Sequence, residues 1–337
     1  MKKMAMVLVA FLTVLLILWW VDYEAVIHSL KVIDLKILLG ACLMQVFTIF
    51  LITKQWEMMG REVGVNLPLK KLLHVNMAGT FVESVTPSVK AGGEATKVYL
   101  LRTKCNISIG QATAMVGLQK AASLTAFVLI NLVSILWFFM TVGFQGAYGK
   151  LLLGSFLFLL LFLMTLILFM KNPAKIKGLI NLFLSKKLQS KVSSGLESFR
   201  ENVKIAIKNK GIKAFLKHLS FAVFIWLFFA IKAYIISRGL SLDLSFGIIS
   251  VITYLTYMIA MVPLLPGGLG TFEGSMVFLL NPFNVALHQG MALALLVRFV
   301  TFWFVFLLSC IYLGCQLIID QFMERQLKNS MEKGEGI

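Results

Sequence analysis

Charge is scarce in this chain of 337 residues: 14% of positions are Asp, Glu, Lys or Arg, where a soluble domain carries about 25%. Acid is scarcer still, at 15 Asp+Glu against 32 Lys+Arg, and histidine, cysteine and proline number only 4, 4 and 6. With 59% hydrophobic residues, these shortages exclude a soluble enzyme and a nucleic-acid module. Cys42, Cys105, Cys310 and Cys315 have neither a zinc nor a thioredoxin spacing, and three of them sit in apolar runs. A disulfide framework is therefore not expected, nor is a metal site. Nothing resembles a Ser/His/Asp arrangement or a nucleotide-binding loop, so no cofactor and no catalytic activity are expected.

What the chain has in abundance is uninterrupted apolar sequence. Runs recur at 4–21, 37–53, 121–148, 151–170, 219–231, 245–271 and 291–319, the last broken only by Arg298. Several reach the roughly 20 residues that span a bilayer core. They are unbroken rather than alternating, which excludes a transmembrane β-barrel. The expected fold class is an all-α polytopic membrane protein. Its first run follows Met1-Lys2-Lys3 and ends in Trp19-Trp20-Val21 without a small-x-small cleavage site, as an uncleaved helix with an interfacial aromatic anchor does.

The net charge of +17 fits cytoplasmic loops rich in Lys and Arg. A basic surface that recruits anionic headgroups accounts for the same excess. Lys2 and Lys3 place the N-terminus in the cytoplasm, and Lys54, Arg61, Lys70 and Lys71 bring the second crossing back there. The stretch 72–89 is apolar on average yet holds His74, Asn76, Thr80, Glu83, Ser84, Thr86, Pro87 and Ser88. Lysines flank it on both sides, so it enters and leaves on one side as a re-entrant hairpin. Such backbone is tolerated only inside protein or beside water.

Residues 109–142 cross outward and 151–170 cross back. The basic cytoplasmic linker 171–217 carries twelve Lys/Arg and two acids, with apolar residues at helical spacing. It reads either as membrane-surface helices or as a solvated helical hairpin. Residues 219–237 cross again, and Lys232 is expected to snorkel to the nearby interface. The run 246–280, broken by Pro263, Pro266, Gly267, Gly268 and Gly270, reads as a second re-entrant hairpin. The last crossing is about 290–319. This gives about six full transmembrane helices plus two re-entrant helical hairpins, with both termini cytoplasmic. One transmembrane domain covers 1–325 and a short cytoplasmic tail covers 326–337.

Two segments echo each other across the halves 37–142 and 218–319. The first runs from Pro87 through Gly92-Gly93 to Glu94, and the second from Pro266 through Gly267, Gly268 and Gly270 to Glu273. Each glutamate lies seven residues after its proline. Lys120 follows Glu94 by 26 residues and Arg298 follows Glu273 by 25, both inside apolar helices. This is the pattern of an inverted repeat, whose paired interruptions point to a site at the repeat interface. Proline breaks the backbone ladder and glycine permits sharp turns or close approach. A helix starting after such a break aims free N–H groups at phosphate. The plainer reading is a tight turn with a glutamate favouring the next helix dipole. Charges in apolar helices rarely face lipid, so Glu94 is expected to pair with Lys120 and Glu273 with Arg298.

The two blocks resemble the flippase-like transmembrane family named after the membrane region of lysylphosphatidylglycerol synthase, the multiple peptide resistance factor. The residues that carry the resemblance are Thr86-Pro87 with Gly92-Gly93-Glu94, Tyr99-Leu100-Leu101, and Pro266-Gly267-Gly268-Leu269-Gly270-Thr271-Phe272-Glu273. Where family members usually have Glu-Arg, this chain has Gln119-Lys120. The resemblance spans about residues 1–325 and stops short of a synthase domain, so aminoacylation is not carried over. It implies movement of an anionic or modified lipid, phospho- or isoprenoid-linked, between the leaflets of the cell membrane. The headgroup would pass through a polar cavity lined by Glu94, Lys120, Glu273, Arg298, Gly92, Gly93, Gly267, Gly268, Gly270, Pro87 and Pro266. Two alternatives remain open: a secondary transporter of a small polar solute, and a non-transporting scaffold for a lipid-synthesis enzyme. The expected partners are anionic membrane phospholipids, with a lipid-synthesis enzyme and a second copy of the chain as further candidates.

Overall fold

A computed structural model describes residues 31, 33–85, 91–144, 146–171, 186–262 and 268–334. The elements in order are α1 (Leu35–Glu62), α2 (Leu69–Val85), α3 (Ala91–Cys105), α4 (Ile109–Val142) and α5 (Ala147–Lys171), followed by α6 (Lys186–Gly239), α7 (Phe246–Ala260), α8 (Thr271–Leu280), α9 (Leu287–Arg298) and α10 (Phe304–Gly334). A π-helical turn, Phe299–Trp303, joins α9 to α10. No strand occurs among the described residues. Helix starts follow local chemistry. Asp34 accepts from the Lys36 N–H at 2.9 Å, Ser108 from the Gln111 N–H at 3.2 Å, and Ser245 from the Ile248 N–H at 3.3 Å. Each side chain satisfies a donor that the first helical turn leaves unpaired.

Among the described residues, five segments are long and apolar enough to cross a bilayer: Leu35–Glu62, Ile109–Val142, Ala147–Leu168, Lys213–Gly239 and Leu287–Ile319. The chain is thus a multi-pass helical membrane protein. The anticipated first crossing at 4–21 lies outside the described residues, as do Pro87, Pro266 and Gly267.

Several boundaries differ from those expected. The crossing expected to end at residue 53 continues to Glu62, because Glu57 holds Lys54 and Arg61 at 2.5 Å each along its own helix. The hairpin expected within 72–89 is larger: α2 is one arm and α3 the other. Gly79 lies against the Lys97 stem and Gly93 against Gly79 and Glu83, an antiparallel register. Gly92 and Gly93 therefore sit in the first turn of α3 rather than in the turn between the arms, and Gly93 serves close approach. The second interrupted stretch also divides into two short packed helices, α7 and α8. There Gly268 and Gly270 do adopt positive φ, at 68° and 77°. Between the linker and the next crossing no break occurs: α6 runs unbroken over 54 residues.

Two buried clusters meet along α4. Trp56, Leu72, Leu101 and Met115 join α1, α2 and α3 to its first half. Phe127, Phe138, Leu255, Phe272 and Val297 join α7, α8 and α9 to its second. Phe127 stacks on Trp226 of α6 at 4.2 Å. Outward, Leu43, Phe47, Leu136 and Met140 are exposed, an apolar surface that marks contact with a membrane.

Candidate functional site

The first charged cluster forms where α2, α3 and α4 meet. Glu94 lies in the first turn of α3, where its charge favours the helix dipole. Lys120 stands on α4, eleven residues beyond Ile109, which places it about 16 Å along the helix. Glu94 Oε1 accepts from Lys120 Nζ at 2.7 Å and from Lys97 Nζ at 3.2 Å. One carboxylate oxygen thus holds two ammonium groups. Glu94 Oε2 is buried without a hydrogen-bond partner among the described residues. Glu83 borders the cluster across Gly93. Lys97 also lies 5.3 Å from the centre of the Trp56 ring. Behind Lys120, Gln119 donates to Gln55 Oε1 at 3.0 Å, joining α4 to α1 through neutral amides.

The second cluster forms where α7, α8 and α9 meet. Glu273 lies in the first turn of α8. Its Oε2 accepts from the Gly270 N–H at 2.8 Å, and its Oε1 faces Arg298 Nε at 3.7 Å. The carboxylate therefore divides its two oxygens between capping its own helix and the ion pair. Arg298 stands on α9, eleven residues beyond Leu287, a depth along its helix equal to that of Lys120. Its guanidinium lies over Phe272 at 5.1 Å and Phe302 at 4.9 Å. Such ring faces attract a cation, more strongly when water is excluded. Tyr257 donates to Thr301 at 2.8 Å beside them. Arg298 and Glu273 are both 5% exposed.

The structure thus brings Glu94 to Lys120 and Glu273 to Arg298, the pairings read from the spacing. Gly92, Gly93, Gly268 and Gly270 flank the two glutamates. The two clusters are furnished differently: flexible lysines around one shared oxygen in the first, and a planar guanidinium between rings in the second. Arginine stacks on aromatic faces where lysine acts as a compact point charge.

Sequence reasoning counted Lys97 only among the lysines that flank 72–89; in the structure it is 7% exposed. The available signal was its position three residues after Glu94, which puts both on one helix face. Lys232 was expected to snorkel and instead is wholly buried, donating to Gln45 and Thr48 of α1. An apolar groove of about 480 Å³ runs between α4, α6 and α7, with Leu129, Val133, Trp137, Val223 and Tyr254 among its walls.

Residues 7–309 match the family described as the lysylphosphatidylglycerol synthase TM region. A UPF0104 membrane protein of Methanothermobacter thermautotrophicus is 24% identical over 287 residues, covering 82% of this chain and 84% of that protein. One from Methanocaldococcus jannaschii is 23% identical over 307 residues, covering 89% and 91%. One from Pyrococcus horikoshii is 22% identical over 317 residues, covering 90% and 94%.

Proposed function

Because the chain belongs to the family of the lysylphosphatidylglycerol synthase TM region, we propose that it moves a phospholipid or isoprenoid-linked lipid between the leaflets of the cell membrane. The observation that carries this reading is the twofold occurrence of one device. In each half a helix pair holds a glutamate in the first turn of its second member, and that glutamate meets a basic residue eleven positions beyond the first residue of the next α-helix. Paired interruptions of this kind belong to transporters built from inverted repeats. In this reading α2–α3 and α7–α8 are re-entrant hairpins entering from opposite sides, six helices cross fully, and both termini are cytoplasmic.

A charged headgroup cannot cross hydrocarbon bare, since unpaired charge there costs several kcal/mol. The buried pairs offer exchange instead. Lys120 and Arg298 can transfer part of their pairing from glutamate to a headgroup phosphate, while Glu94 and Glu273 keep each cation compensated before and after. Acyl or isoprenoid chains remain in the bilayer, and the groove between α4, α6 and α7 gives them an apolar wall. The polypeptide itself performs no bond-making step.

The test is reconstitution into liposomes with a panel of fluorescent lipids, reading the fraction accessible to a membrane-impermeant quencher over time. The expected result is faster equilibration of anionic lipids than in protein-free liposomes, reduced by Glu273→Gln. Equal rates with and without protein for every lipid would overturn the proposal.

A further inference from the structure

Lys232 belongs to neither paired cluster, yet it is 0% exposed within the Lys213–Gly239 span. Its Nζ donates to Gln45 Oε1 and, at 3.1 Å, to Thr48 Oγ1, both on α1. The remaining direction is closed by the Phe229 ring, 4.3 Å away. All three companions are neutral. The cations of the two clusters each face a carboxylate: buried Lys97 and half-buried Lys120 share Glu94, and buried Arg298 faces Glu273. Lys232 makes no ion pair among the described residues. Lys232 is thus the fully buried cationic side chain that has no carboxylate beside it among the described residues.

The geometry points to Lys232, with Gln45 and Thr48, as a binding subsite for a lipid headgroup of net charge −1, such as that of phosphatidylglycerol, whose phosphodiester has no cation of its own. The inference rests on the reading that headgroups enter the protein interior. One lysine without a carboxylate beside it is matched by one negative charge on a ligand. The Lys232 head group and the Gln45 amide can donate to phosphate oxygens, while the Thr48 hydroxyl donates to the Met44 carbonyl at 2.8 Å and accepts from Lys232. Gln45 Oε1 and Thr48 Oγ1 hold the places around Lys232 Nζ that two phosphate oxygens would take. The site is also connected to the second cluster. Phe229 packs on Tyr257 at 5.5 Å, Tyr257 on Phe272 at 5.0 Å, and Arg298 lies over Phe272. A headgroup at Lys232 would thus lie one row of rings from Arg298, on an apolar floor that disfavours strongly hydrated ions.

The full-length chain in phosphatidylcholine nanodiscs, titrated with phosphatidylglycerol, tests this. Thermal unfolding and native mass spectrometry of bound lipid are read together, in high salt, which screens surface lysines but not a buried group. Phosphatidylglycerol is expected to raise the melting temperature of the wild type. Lys232→Met should lose that rise and bind phosphatidylglycerol roughly tenfold more weakly, the loss of one charge-assisted bond. Lys232→Arg should retain it. Should Lys232→Met fail to fold, Gln45→Leu carries the test: weaker phosphatidylglycerol binding supports the subsite and unchanged binding overturns it.

A Lys232→Met protein that responds to phosphatidylglycerol as the wild type does would overturn the subsite, leaving Lys232 a tether between α1 and α6. Inorganic phosphate reproducing the stabilisation in neutral nanodiscs would overturn the lipid assignment in favour of a free anion. The two readings separate cleanly. A wild type that moves lipid while Lys232→Met keeps its preference for anionic lipid removes the subsite alone. A wild type that moves no lipid yet binds phosphatidylglycerol through Lys232 removes the transport reading alone.

Discussion

Gly93 approaches Gly79 so closely that a Cβ on Gly93 would stand 2.6 Å from the Gly79 carbonyl oxygen. The obstacle is backbone, which cannot swing aside, and the next residue is Glu94. The same crossing that joins α2 to α3 therefore also aims the carboxylate at Lys120.

Gly93→Ala should lower stability by about 1–3 kcal/mol, the usual cost of overpacking, and should slow lipid movement by displacing Glu94. Gly40→Ala is the control: nothing lies within 4 Å of its added Cβ, and alanine favours a helix by up to about 1 kcal/mol. Thermal unfolding of both in detergent checks the pair. Equal melting of Gly93→Ala and wild type would show that the helices do not cross this closely.

Glu273 and Arg298 should behave as one unit. Glu273→Gln or Arg298→Met alone leaves a buried charge uncompensated, at about 3–5 kcal/mol. The double substitution should cost less than the sum, with a coupling of about 0.5–3 kcal/mol. Denaturant unfolding of the four proteins gives the cycle. Additive losses would mean that the 3.7 Å separation carries no interaction. Lipid movement in the double variant should stay low, since neither exchange partner remains.

The first cluster predicts an unequal pair. Glu94→Gln leaves both Lys97 and Lys120 without the negative charge they share and should cost about 3–5 kcal/mol. Lys120→Met leaves the Glu94–Lys97 contact standing and should cost about 1.5–3 kcal/mol, the value of one charge-assisted hydrogen bond. Unfolding measurements that reverse this order would contradict the sharing of Glu94 Oε1.

Topology is tested by single cysteines in a background lacking Cys42, Cys105, Cys310 and Cys315. Cysteines at Lys71, Lys90, Lys187 and Lys328 should react with an impermeant maleimide only from the cytoplasmic side. Those at Lys31, Gly146 and Gln289 should react only from outside. Labelling of the Lys90 position from outside would turn α2 and α3 into full crossings and remove the inverted repeat.

The long crossings were legible because 20-residue apolar runs have few alternatives in a helical protein. The pairings of Glu94 with Lys120 and of Glu273 with Arg298 were legible for a related reason: buried charge demands a partner, and few charges were available. Lys97 was overlooked because a lysine on a positive flank suggests water; its spacing of three from Glu94 becomes informative once 91–105 is read as a helix. Lys232 was misread because six residues separate it from Arg238, a distance that snorkelling covers in isolation. Gln45 and Thr48, far away in sequence, hold it inside. The length of α6 was hidden for the opposite reason: a change from polar to apolar composition suggests a break, while the backbone hydrogen bonds of a helix are indifferent to it.

That unbroken α6 has a mechanical consequence. At 1.5 Å per residue its 54 residues extend about 80 Å, far more than the roughly 30 Å of hydrocarbon. Its outer arm and the segment bearing Lys232 form one rod without an intervening joint. A torque applied to the arm, by a membrane surface or a docked protein, is delivered to the α1–α6 contact as rotation. The basic arm is a crank handle, and the ammonium group sits on its shaft.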